Sequence, residues 1–591
     1  MYQKADYKDF ATLKRNIQIS QGAVQADTVI KNVSYLDVFT GVFRIGDVAL
    51  HGEHIVGIQE SYAGKHEVDG TNLFLTPGFI DSHVHIESSL MTPGRYEQFV
   101  LPKGTTTAIW DPHEIANVKG SKGIQWAIEA TEDLLMDILI MIPSCVPSTN
   151  DSLGLETSGS ELLAEDLLPF AEHPRVLGLA ELMNYPALLA GDTDILSKLL
   201  IYKNKKRDGH CPNLSGRQLN AYGVAGIHSC HESTSLEEAA EKMSKGIHVI
   251  IREGSCAKNA DVLLPLLNSY TSAILALCSD DRNPLDIEEE GHINFIIEKA
   301  LSAGIKAEHI FRSASFGSAK MFGLDDRGAI APGYLADLCL VKQKEKNSWN
   351  QGFEIINVFK KGSLSSSQQQ EKKENTSYSP FPGKNINMGA VSSSSFKIGT
   401  KNHKKVKVRA IAVIPGQILT NQHIGSIDCS AGEVQSDVLQ DLLKIAVVER
   451  HHNTGNCGIG FVKGFQLKEG AIVSSINHDS HNIIVVGASD QIMAEAVNKL
   501  REIDGGILVW RNSSEWECLP LPIGGLMTNI NPSEIAASMM KLKKLTKKLG
   551  CSLHEPFLQL SFLALPVIPS LKITDKGLVD VESLSIIPPI V

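Results

Sequence analysis

The sequence lacks the features that mark several large classes of protein. Its 591 residues include 56 Lys and Arg against 67 Asp and Glu, which gives a formal net charge of −11. Aromatic residues make up only 6% of the chain, and no run of Lys and Arg is interleaved with them. Because nucleic-acid binding depends on basic patches that neutralise phosphates, the composition predicts no nucleic-acid partner.

Long apolar runs and paired cysteines are also missing. Residues 1–22 mix charged and polar side chains without the apolar core of a signal peptide. The most apolar stretch near the end, 558–571, is too short to span a bilayer and is interrupted by Pro566 and Pro569. The ten cysteines form no C-x-x-C pair, which favours reduced thiols over disulfides or zinc knuckles. We therefore expect a cytoplasmic protein with no membrane partner.

A β-type texture occurs at two distant places in the chain. Short alternating apolar segments at 26–60 predict a small β domain, and similar segments return at 328–341. We therefore predict one β-sandwich assembled from two flanks, residues 1–76 and 324–362. A separate domain at 77–323 is inserted between them.

The second half of the chain starts with a polar stretch. Residues 363–395 are rich in Ser, Gln, Lys and Asn, which predicts a linker or exposed loop. Apolar strand and helix patterns resume after it, so a C-terminal α+β domain is predicted for residues 396–591. A homo-oligomer is compatible with the sequence, but nothing in the sequence requires one.

The inserted domain alternates apolar runs with helical patterns. The runs are 79–85, 106–111, 138–143, 176–181, a weak one ending at 210, 224–231, 247–253 and 274–280. Eight such units in about 245 residues match a (β/α)8 barrel, in which catalytic residues lie at the C-terminal strand ends. A doubly wound open sheet shows the same alternation. We predict the barrel because polar residues that follow eight strands converge only on a closed ring.

Six polar residues at the predicted strand ends suit metal binding. His83 and His85 are two positions apart, so in a strand their imidazoles point to the same side. Alone, this pair fits two hydrogen-bonded histidines equally well. The other four residues end strands 4, 5, 6 and 8: Glu181, His210, His231 and Asp280. Four imidazoles and two carboxylates, without a thiolate, are enough for two ions of Mn(II), Fe(II) or Zn(II).

Several longer motifs contain these residues. They are PGFIDSHVHIESS at 77–89, DPHE at 111–114, GLAELMN at 178–184, GH at 209–210, LNAY at 219–222, HE at 231–232 and DDRNP at 280–284. GNCGIGF at 455–461 and HDSHN at 478–482 follow near the C-terminus. Together they resemble the amidohydrolase superfamily, in particular the bacterial-type adenine deaminases, over nearly the whole chain.

The resemblance implies hydrolysis of adenine to hypoxanthine and ammonia by two divalent ions, Mn(II) or Fe(II), on the six residues. Many amidohydrolases bridge their ions with a carbamylated lysine, whereas this chain has Glu181 there, as the adenine deaminases do. The ions are expected to activate a water that attacks C6 of adenine, and Asp280 to pass its proton to the departing amine. Cys230, beside His231, stands where the family is expected to have Asp.

A second acid is needed because N1 of adenine must be protonated during the attack. Glu232 and Glu114 are the candidates, each beside a strand-end histidine, and we favour Glu232. Asp111, His113 and Glu114 are predicted to contact the substrate, although Asp and Glu are also typical of a helix start. Arg282 is as well suited to bond the backbone as to bond the purine, and the same holds for Asn283 after it.

Other interpretations remain open from the sequence. Another cyclic amidohydrolase, such as a deacetylase or lactam hydrolase, would use the same ions with different loop contacts. A non-catalytic scaffold would keep the fold, but such scaffolds usually lose ligands, and all six are present. No flanking carboxylate pattern completes a further metal site near the C-terminal histidines, so we expect ordinary hydrogen-bonded side chains there. Those histidines are His451, His452, His478 and His481.

Overall fold

The computed structural model describes residues 2–149, 153–365, 381–400, 403–429 and 432–591. The chain begins with helix α1 (Phe10–Ser20), which Asp9 caps by accepting a hydrogen bond from the Thr12 amide at 2.8 Å. Five strands follow: β1 (Ala26–Asp37), β2 (Val42–His51), β3 (His54–Gln59), β4 (Gly64–Asp69) and β5 (Phe74–Pro77).

A ring of eight parallel strands follows the first flank. The strands are β6 (Phe79–Val84), β7 (Thr105–Trp110), β8 (Asp137–Ile142), β9 (Val176–Leu182), β10 (Lys206–Gly209), β11 (Ser229–Cys230), β12 (His248–Arg252) and β13 (Ala276–Cys278). Each pairs with the next strand along the chain. The ring closes where the Asp280 amide donates a hydrogen bond to the His83 carbonyl at 3.0 Å. The predicted barrel is confirmed.

Helices surround the ring. They are α2 (Pro93–Val100), α3 (His113–Lys119), α4 (Ser121–Glu129), α5 (Ala164–Leu167), α6 (Tyr185–Ala190), α7 (Thr193–Ile201), α8 (Gly216–Val224), α9 (Leu236–Ser244), α10 (Ala260–Leu263), α11 (Pro284–Glu289), α12 (Ile293–Ser302), α13 (Ala307–Arg312) and α14 (Ser318–Phe322). Ile80, Ile109, Leu139 and Ile250 fill the ring interior. The predicted ligands lie at the C-terminal strand ends, beyond this apolar layer.

The prediction of a strand at 224–231 is wrong for most of these residues. Val224 is the last residue of α8, and only Ser229 and Cys230 form β11. Gly226, with φ of 82°, separates the helix from the strand. β11 has only two residues, and both pair with β10. Two residues are too few to show a periodic apolar pattern in the sequence.

The second flank pairs with the first. Its strands are β14 (Leu338–Glu345), β15 (Ser348–Lys360) and β16 (Ser363–Leu364). β14 pairs with β5, so the strands of both flanks form one connected sheet. Within it, β1 changes its parallel partner from β4 to β5 near a bulge between Ile30 and Val33.

Part of the predicted linker is packed. Residues 366–380 lie outside the described residues. From Asn385 onwards the segment contacts the C-terminal region, since the backbone amides of Asn385 and Ile386 donate to the Asp504 carboxylate at 3.0–3.1 Å. The side chains of Ile386 and Phe396 are buried, so this part is not an exposed loop.

The C-terminal region is a mixed α and β unit. Its strands are β17 (Ile398–Gly399), β18 (Lys405–Val413), β19 (Thr420–Asp428), β20 (Glu433–Val434), β21 (Leu443–Val448), β22 (Cys457–Lys463), β23 (Ala471–Ser474), β24 (Ile483–Gly487), β25 (Gly506–Asn512), β26 (Glu515–Pro520), β27 (Leu571–Thr574), β28 (Gly577–Asp580) and β29 (Ser585–Ile587). Its helices are α15 (Asp490–Ile503), α16 (Pro532–Lys548) and α17 (Pro556–Ser561).

The C-terminal unit packs directly on the barrel. Ile115 and Val118 of α3 belong to the same buried apolar cluster as Ile476, Leu526 and Met527. This continuous core holds the loop between β23 and β24 over the end of the ring where the predicted ligands lie. Within the part of the chain that the structure describes, no helix combines the length and apolar character needed to cross a membrane.

A buried ion cluster joins the barrel to the connected sheet. The Asp137 carboxylate, at the start of β8, lies 2.7 Å from Lys360 Nζ and 2.8 Å from an Arg327 guanidinium nitrogen. Lys360 Nζ also lies 2.6 Å from Asp337. Burial raises the pKa of Asp137, but Lys360 and Arg327 bring it well below its usual range. This stabilisation is present above about pH 4, and it is lost as the pH falls through the lowered pKa.

Replacing the fully buried Lys360 by Met should lower the free energy of unfolding by about 3–5 kcal/mol, because two buried carboxylates lose their shared cation. Lys344→Met is the matched control. The Lys344 side chain is 50% exposed and pairs with Glu298 at 2.9 Å, an interaction worth at most about 1 kcal/mol. Chemical denaturation of both variants measures the difference. Equal midpoints for the two variants would show that the cluster does not hold the domains together.

Candidate metal centre

Glu181, at the end of β9, separates the six predicted ligands into two groups. Its Oε1 atom lies 3.4 Å from His85 Nε2 and 3.9 Å from His83 Nε2. Asp280 Oδ1 completes this group, at 3.2 Å from His85 Nε2 and 3.7 Å from His83 Nε2. Two imidazole nitrogens and two carboxylate oxygens thus surround one point, which is the donor set of a divalent ion.

The second oxygen of Glu181 faces the other group. Glu181 Oε2 lies 2.5 Å from His210 Nδ1 and 3.1 Å from His231 Nε2. One carboxylate therefore contacts two sets of histidines through different oxygens. That arrangement fits a carboxylate that bridges two ions.

The imidazoles of the first group are oriented from behind. His83 Nδ1 lies 3.1 Å from an oxygen of Asp208, and His85 Nδ1 lies 3.1 Å from the carbonyl oxygen of Asp111. These contacts favour a proton on each Nδ1, which leaves the Nε2 lone pairs free for a metal. The two Nε2 atoms are 3.0 Å apart. Two lone pairs at that distance repel unless a cation or proton lies between them, so the residues fit an ion.

The carboxylates of the centre are in the charge state that ligands need. Burial raises the pKa of Glu181, but His210 and His231 bring it well below its usual range. Burial also raises the pKa of Asp280, but Arg252 outweighs that effect and brings the pKa well below its usual range. Both groups are therefore ionised at neutral pH, as metal coordination requires.

Arg252, at the end of β12, is a site residue that the sequence reasoning missed. Its Nη1 lies 3.1 Å from Asp280 Oδ2, and its Nη2 donates to Glu232 Oε2 at 3.0 Å. Nη1 also donates to Glu232 Oε1. Glu232, favoured above as the acid for N1, is thus held in a two-point pair with a cation, where a carboxylate acts as an acceptor. A buried arginine directly after three apolar strand residues was the available signal.

The run at 111–114 forms both a turn and part of the site. The Asp111 carboxylate accepts from the His113 amide and contacts His113 Nδ1, each at 3.1 Å. Burial lowers the pKa of His113, but Asp111 and Asp479 raise it well above its usual value. Glu114 accepts a hydrogen bond from Ser88 at 3.3 Å, and burial raises its pKa. The helix-start and site interpretations of this run are compatible.

A cavity of about 20 Å³ adjoins the predicted ligands. The barrel contributes His85, His113, Glu181, Met183, His210, Glu232, Arg252, Asp280 and Asp281. The C-terminal unit contributes Ile418, His478, Asp479, Phe562 and Leu565. Three substrate contacts were predicted in the run at 111–114. His113 lines the cavity, and Asp111 contacts the His113 ring without lining the cavity itself. Glu114 is not among the lining residues.

The C-terminal histidines divide into two kinds. His451 and His452 make ordinary hydrogen bonds, to the Ser480 carbonyl at 2.7 Å and the Ser158 carbonyl at 2.9 Å. His478, in contrast, lines the cavity. The carboxylates near it come from the barrel and from Asp479 beside it, so the local sequence alone could not show the barrel's contribution.

The residues after Asp281 serve the fold. Arg282 Nε donates to the Gly291 carbonyl at 2.9 Å, and Asn283 caps α11 by accepting from the Asp286 amide at 2.9 Å. Cys230 Sγ lies 3.6 Å from Cys211 Sγ and 3.5 Å from Lys242 Nζ, so it packs behind the ligands. The backbone-bonding alternative for the pair at 282–283 therefore holds.

Comparison with known proteins agrees with this architecture. Residues 74–364 match the model of the amidohydrolase family, and residues 417–585 match that of the adenine deaminase C-terminal domain. An adenine deaminase of Brucella anthropi is 45% identical over 97% of this chain and 100% of that protein, and one of Cereibacter sphaeroides is 43% identical over 97% and 99%. The solved dihydropyrimidinase of Brevibacillus agri is 15% identical over 57% of this chain and 94% of that chain, with a TM-score of 0.43. These two adenine deaminases are more than 40% identical to this chain, and each alignment covers nearly all of both proteins. The chain therefore belongs to the adenine deaminase family of amidohydrolases.

Proposed function

We propose that the protein hydrolyses adenine to hypoxanthine and ammonia, using two divalent ions. The observation that carries the proposal is the position of Glu181 between two ligand groups, one on each of its oxygens. The relatives named adenine deaminase, similar over almost their whole length, support adenine as the substrate. The nitrogen and oxygen donors, without a thiolate among the six, suit Mn(II), Fe(II) or Zn(II). We propose Mn(II) or Fe(II) because the motifs resemble those of the adenine deaminases.

The ions would be held by His83, His85 and Asp280 on one side of Glu181, and by His210 and His231 on the other. When bound, they would supply a water of lowered pKa as the nucleophile at neutral pH. The surrounding protein excludes bulk water, because the ligand side chains are at most 8% exposed.

Asp280 is proposed to move the proton. Its Oδ1 faces the ligand group and its Oδ2 is held by Arg252 at 3.1 Å, so the carboxylate is ionised and fixed in orientation. An ionised carboxylate at this position accepts a proton from the attacking water and donates it to the amine that leaves C6. Arg252 acts here as a positioning residue.

Glu114 is the better carrier of the proton for N1. Burial raises its pKa, whereas Glu232 is occupied as an acceptor by Arg252. Ser88 Oγ lies 3.3 Å from Glu114 Oε1 and 2.5 Å from Asp281 Oδ1, and Asp281 lines the cavity. With Glu114 protonated, its O–H donates to Ser88 Oγ and the Ser88 hydroxyl donates to Asp281, so a chain of hydrogen bonds links the buried acid to the space where adenine would lie.

A role in purine salvage in the cytoplasm completes the proposal. Conversion of adenine to hypoxanthine returns a purine base for reuse. All ten cysteines are free thiols, which supports a reducing compartment.

Removal of metal should abolish ammonia release from adenine, and two equivalents of Mn(II) or Fe(II) should restore it, because the nucleophile depends on the ions. Glu181→Gln should lower the metal content toward one ion per chain, since a neutral amide bridges two cations poorly. Elemental analysis and an ammonia assay measure both effects. Full activity in a chelated sample would contradict the mechanism, and two ions in the variant would contradict the bridge.

Asp280→Asn should retain at least one ion and lower kcat by about 10²–10⁴-fold, because an amide cannot transfer the proton. Asp261→Asn is the control, since that carboxylate is 74% exposed and should not affect turnover. Steady-state kinetics with adenine measures both variants. A loss smaller than about tenfold would place the transfer on another group, with Asp281 the nearest candidate.

Glu114→Gln should lower kcat about 10²-fold and remove the fall in activity on the alkaline side. The sign follows from the role: an acid with a raised pKa is active while protonated and inactive as the pH rises through that pKa. The pH dependence of kcat/KM for the wild type, Glu114→Gln and Glu232→Gln is the measurement. An alkaline fall that persists in Glu114→Gln and disappears in Glu232→Gln would return the role to Glu232.

A further inference from the structure

The C-terminal unit forms part of the wall of the cavity beside the predicted ligands. His478 and Asp479 lie in the loop between β23 and β24, and Phe562 follows α17. All three side chains line the same cavity as His85, Glu181 and Asp280. Two polar and several apolar groups from another part of the chain thus complete a pocket that the barrel leaves open.

Two atoms of this wall have unmet hydrogen-bonding capacity. His478 and Asp479 are each 2% exposed. Among the described residues, His478 Nε2 and Asp479 Oδ2 are buried and have no hydrogen-bond partner. Buried polar atoms without partners are rare because losing water is unfavourable, so both atoms point to a ligand.

The ring of His478 is fixed in place. It stacks on Phe562 with centroids 4.5 Å apart and planes 10° apart. Its Nδ1 atom lies 3.6 Å from Glu114 Oε1 and 3.6 Å from Asp479 Oδ1. Because the ring is held on its face and at Nδ1, the direction of Nε2 is set before any ligand binds.

The two side chains offer opposite hydrogen-bonding functions. Burial lowers the pKa of His478, but Glu114 and Asp479 outweigh that effect and raise it to about 9. The Asp479 carboxylate beside Nδ1 keeps both ring nitrogens protonated when Glu114 carries its own proton. Burial raises the pKa of Asp479, but His113 and His478 bring it below its usual range. His478 Nε2 is thus a donor, and Asp479 Oδ2 is an acceptor.

One edge of adenine matches this pair. When C6 faces the ligand groups, N3 lies across the six-membered ring from it and N9–H lies beside N3. N3 accepts a hydrogen bond and N9–H donates one. We infer that His478 and Asp479 bind the N3 and N9–H edge of the substrate, and that Asp479 makes the enzyme select the free base over compounds substituted at N9. The inference rests on the proposed function.

The test compares kcat/KM for adenine, 3-deazaadenine and 9-methyladenine on fully metal-loaded enzyme. In Asp479→Ala the preference for adenine over 9-methyladenine should fall about 10- to 100-fold, which is the effect of losing a hydrogen bond to a charged group. In His478→Gln the preference for adenine over 3-deazaadenine should fall by a similar factor. In both variants KM for adenine should rise more than kcat falls.

Matched controls come from the same unit. Asp428→Asn and His452→Gln alter an aspartate that is 84% exposed and an exposed histidine, and both should keep the preferences of the wild type. Asp479→Asn, which retains an acceptor oxygen in the same place, should recover part of the selectivity lost in Asp479→Ala. Thermal unfolding of each variant shows that the fold is kept.

The outcomes separate this inference from the proposed function. A wild-type enzyme that releases no ammonia from adenine would contradict the proposed function itself. Unchanged substrate preferences in active Asp479→Ala and His478→Gln enzymes would overturn only the assignment of the edge. Ligand atoms of His113, Glu114 and His478 also lie within 4.8 Å of one another, so an additional ion is the competing occupant. Loss of one ion from His478→Gln by elemental analysis would likewise overturn the inference.

Discussion

Burial of the Glu181 carboxylate among five imidazoles is the constraint on which the site depends. A buried carboxylate is stable only when it is paired and hydrogen-bonded, and the two oxygens of Glu181 face different histidines. The same requirement extends outward, because the histidines need fixed tautomers and Asp280 needs a cation. Asp208 and Arg252 meet those needs. The buried charge of Glu181 therefore accounts for the presence of further buried polar residues, such as Asp208 and Arg252, around the ligands.

Much of the barrel half could be predicted from the sequence. Parallel strands in a closed ring end on the same side, so the polar residues after each apolar run had to converge, and the structure brings all six predicted ligands together. The two-residue strand at 229–230 was placed poorly because its pairing, not its pattern, makes it a strand. The contact that led us to propose Glu114 in place of Glu232 could not be predicted either, since Arg252 approaches Glu232 from a neighbouring strand.

The contribution of the C-terminal unit marks the limit of sequence reasoning for this chain. His478 stands more than 360 residues after Glu114, yet the two side chains lie 3.6 Å apart. Short spacing rules describe ligands on one helix or strand, and they carry no information about loops that meet across a domain contact. The HDSHN motif resembles the corresponding motif of the family, but the resemblance does not say where the motif lies. Its position over the cavity follows from the packing of α3 against the C-terminal core.

The connected sheet has a consequence for synthesis on the ribosome. β5 pairs with β14, and the whole barrel lies between them in the chain. At translation rates of about 5–20 residues per second, β14 follows β5 by roughly 13–50 seconds. During that interval the first flank has one unpaired strand edge, while the barrel that emerges next forms most of its own contacts. The first flank thus completes its sheet only after the whole barrel has been synthesised.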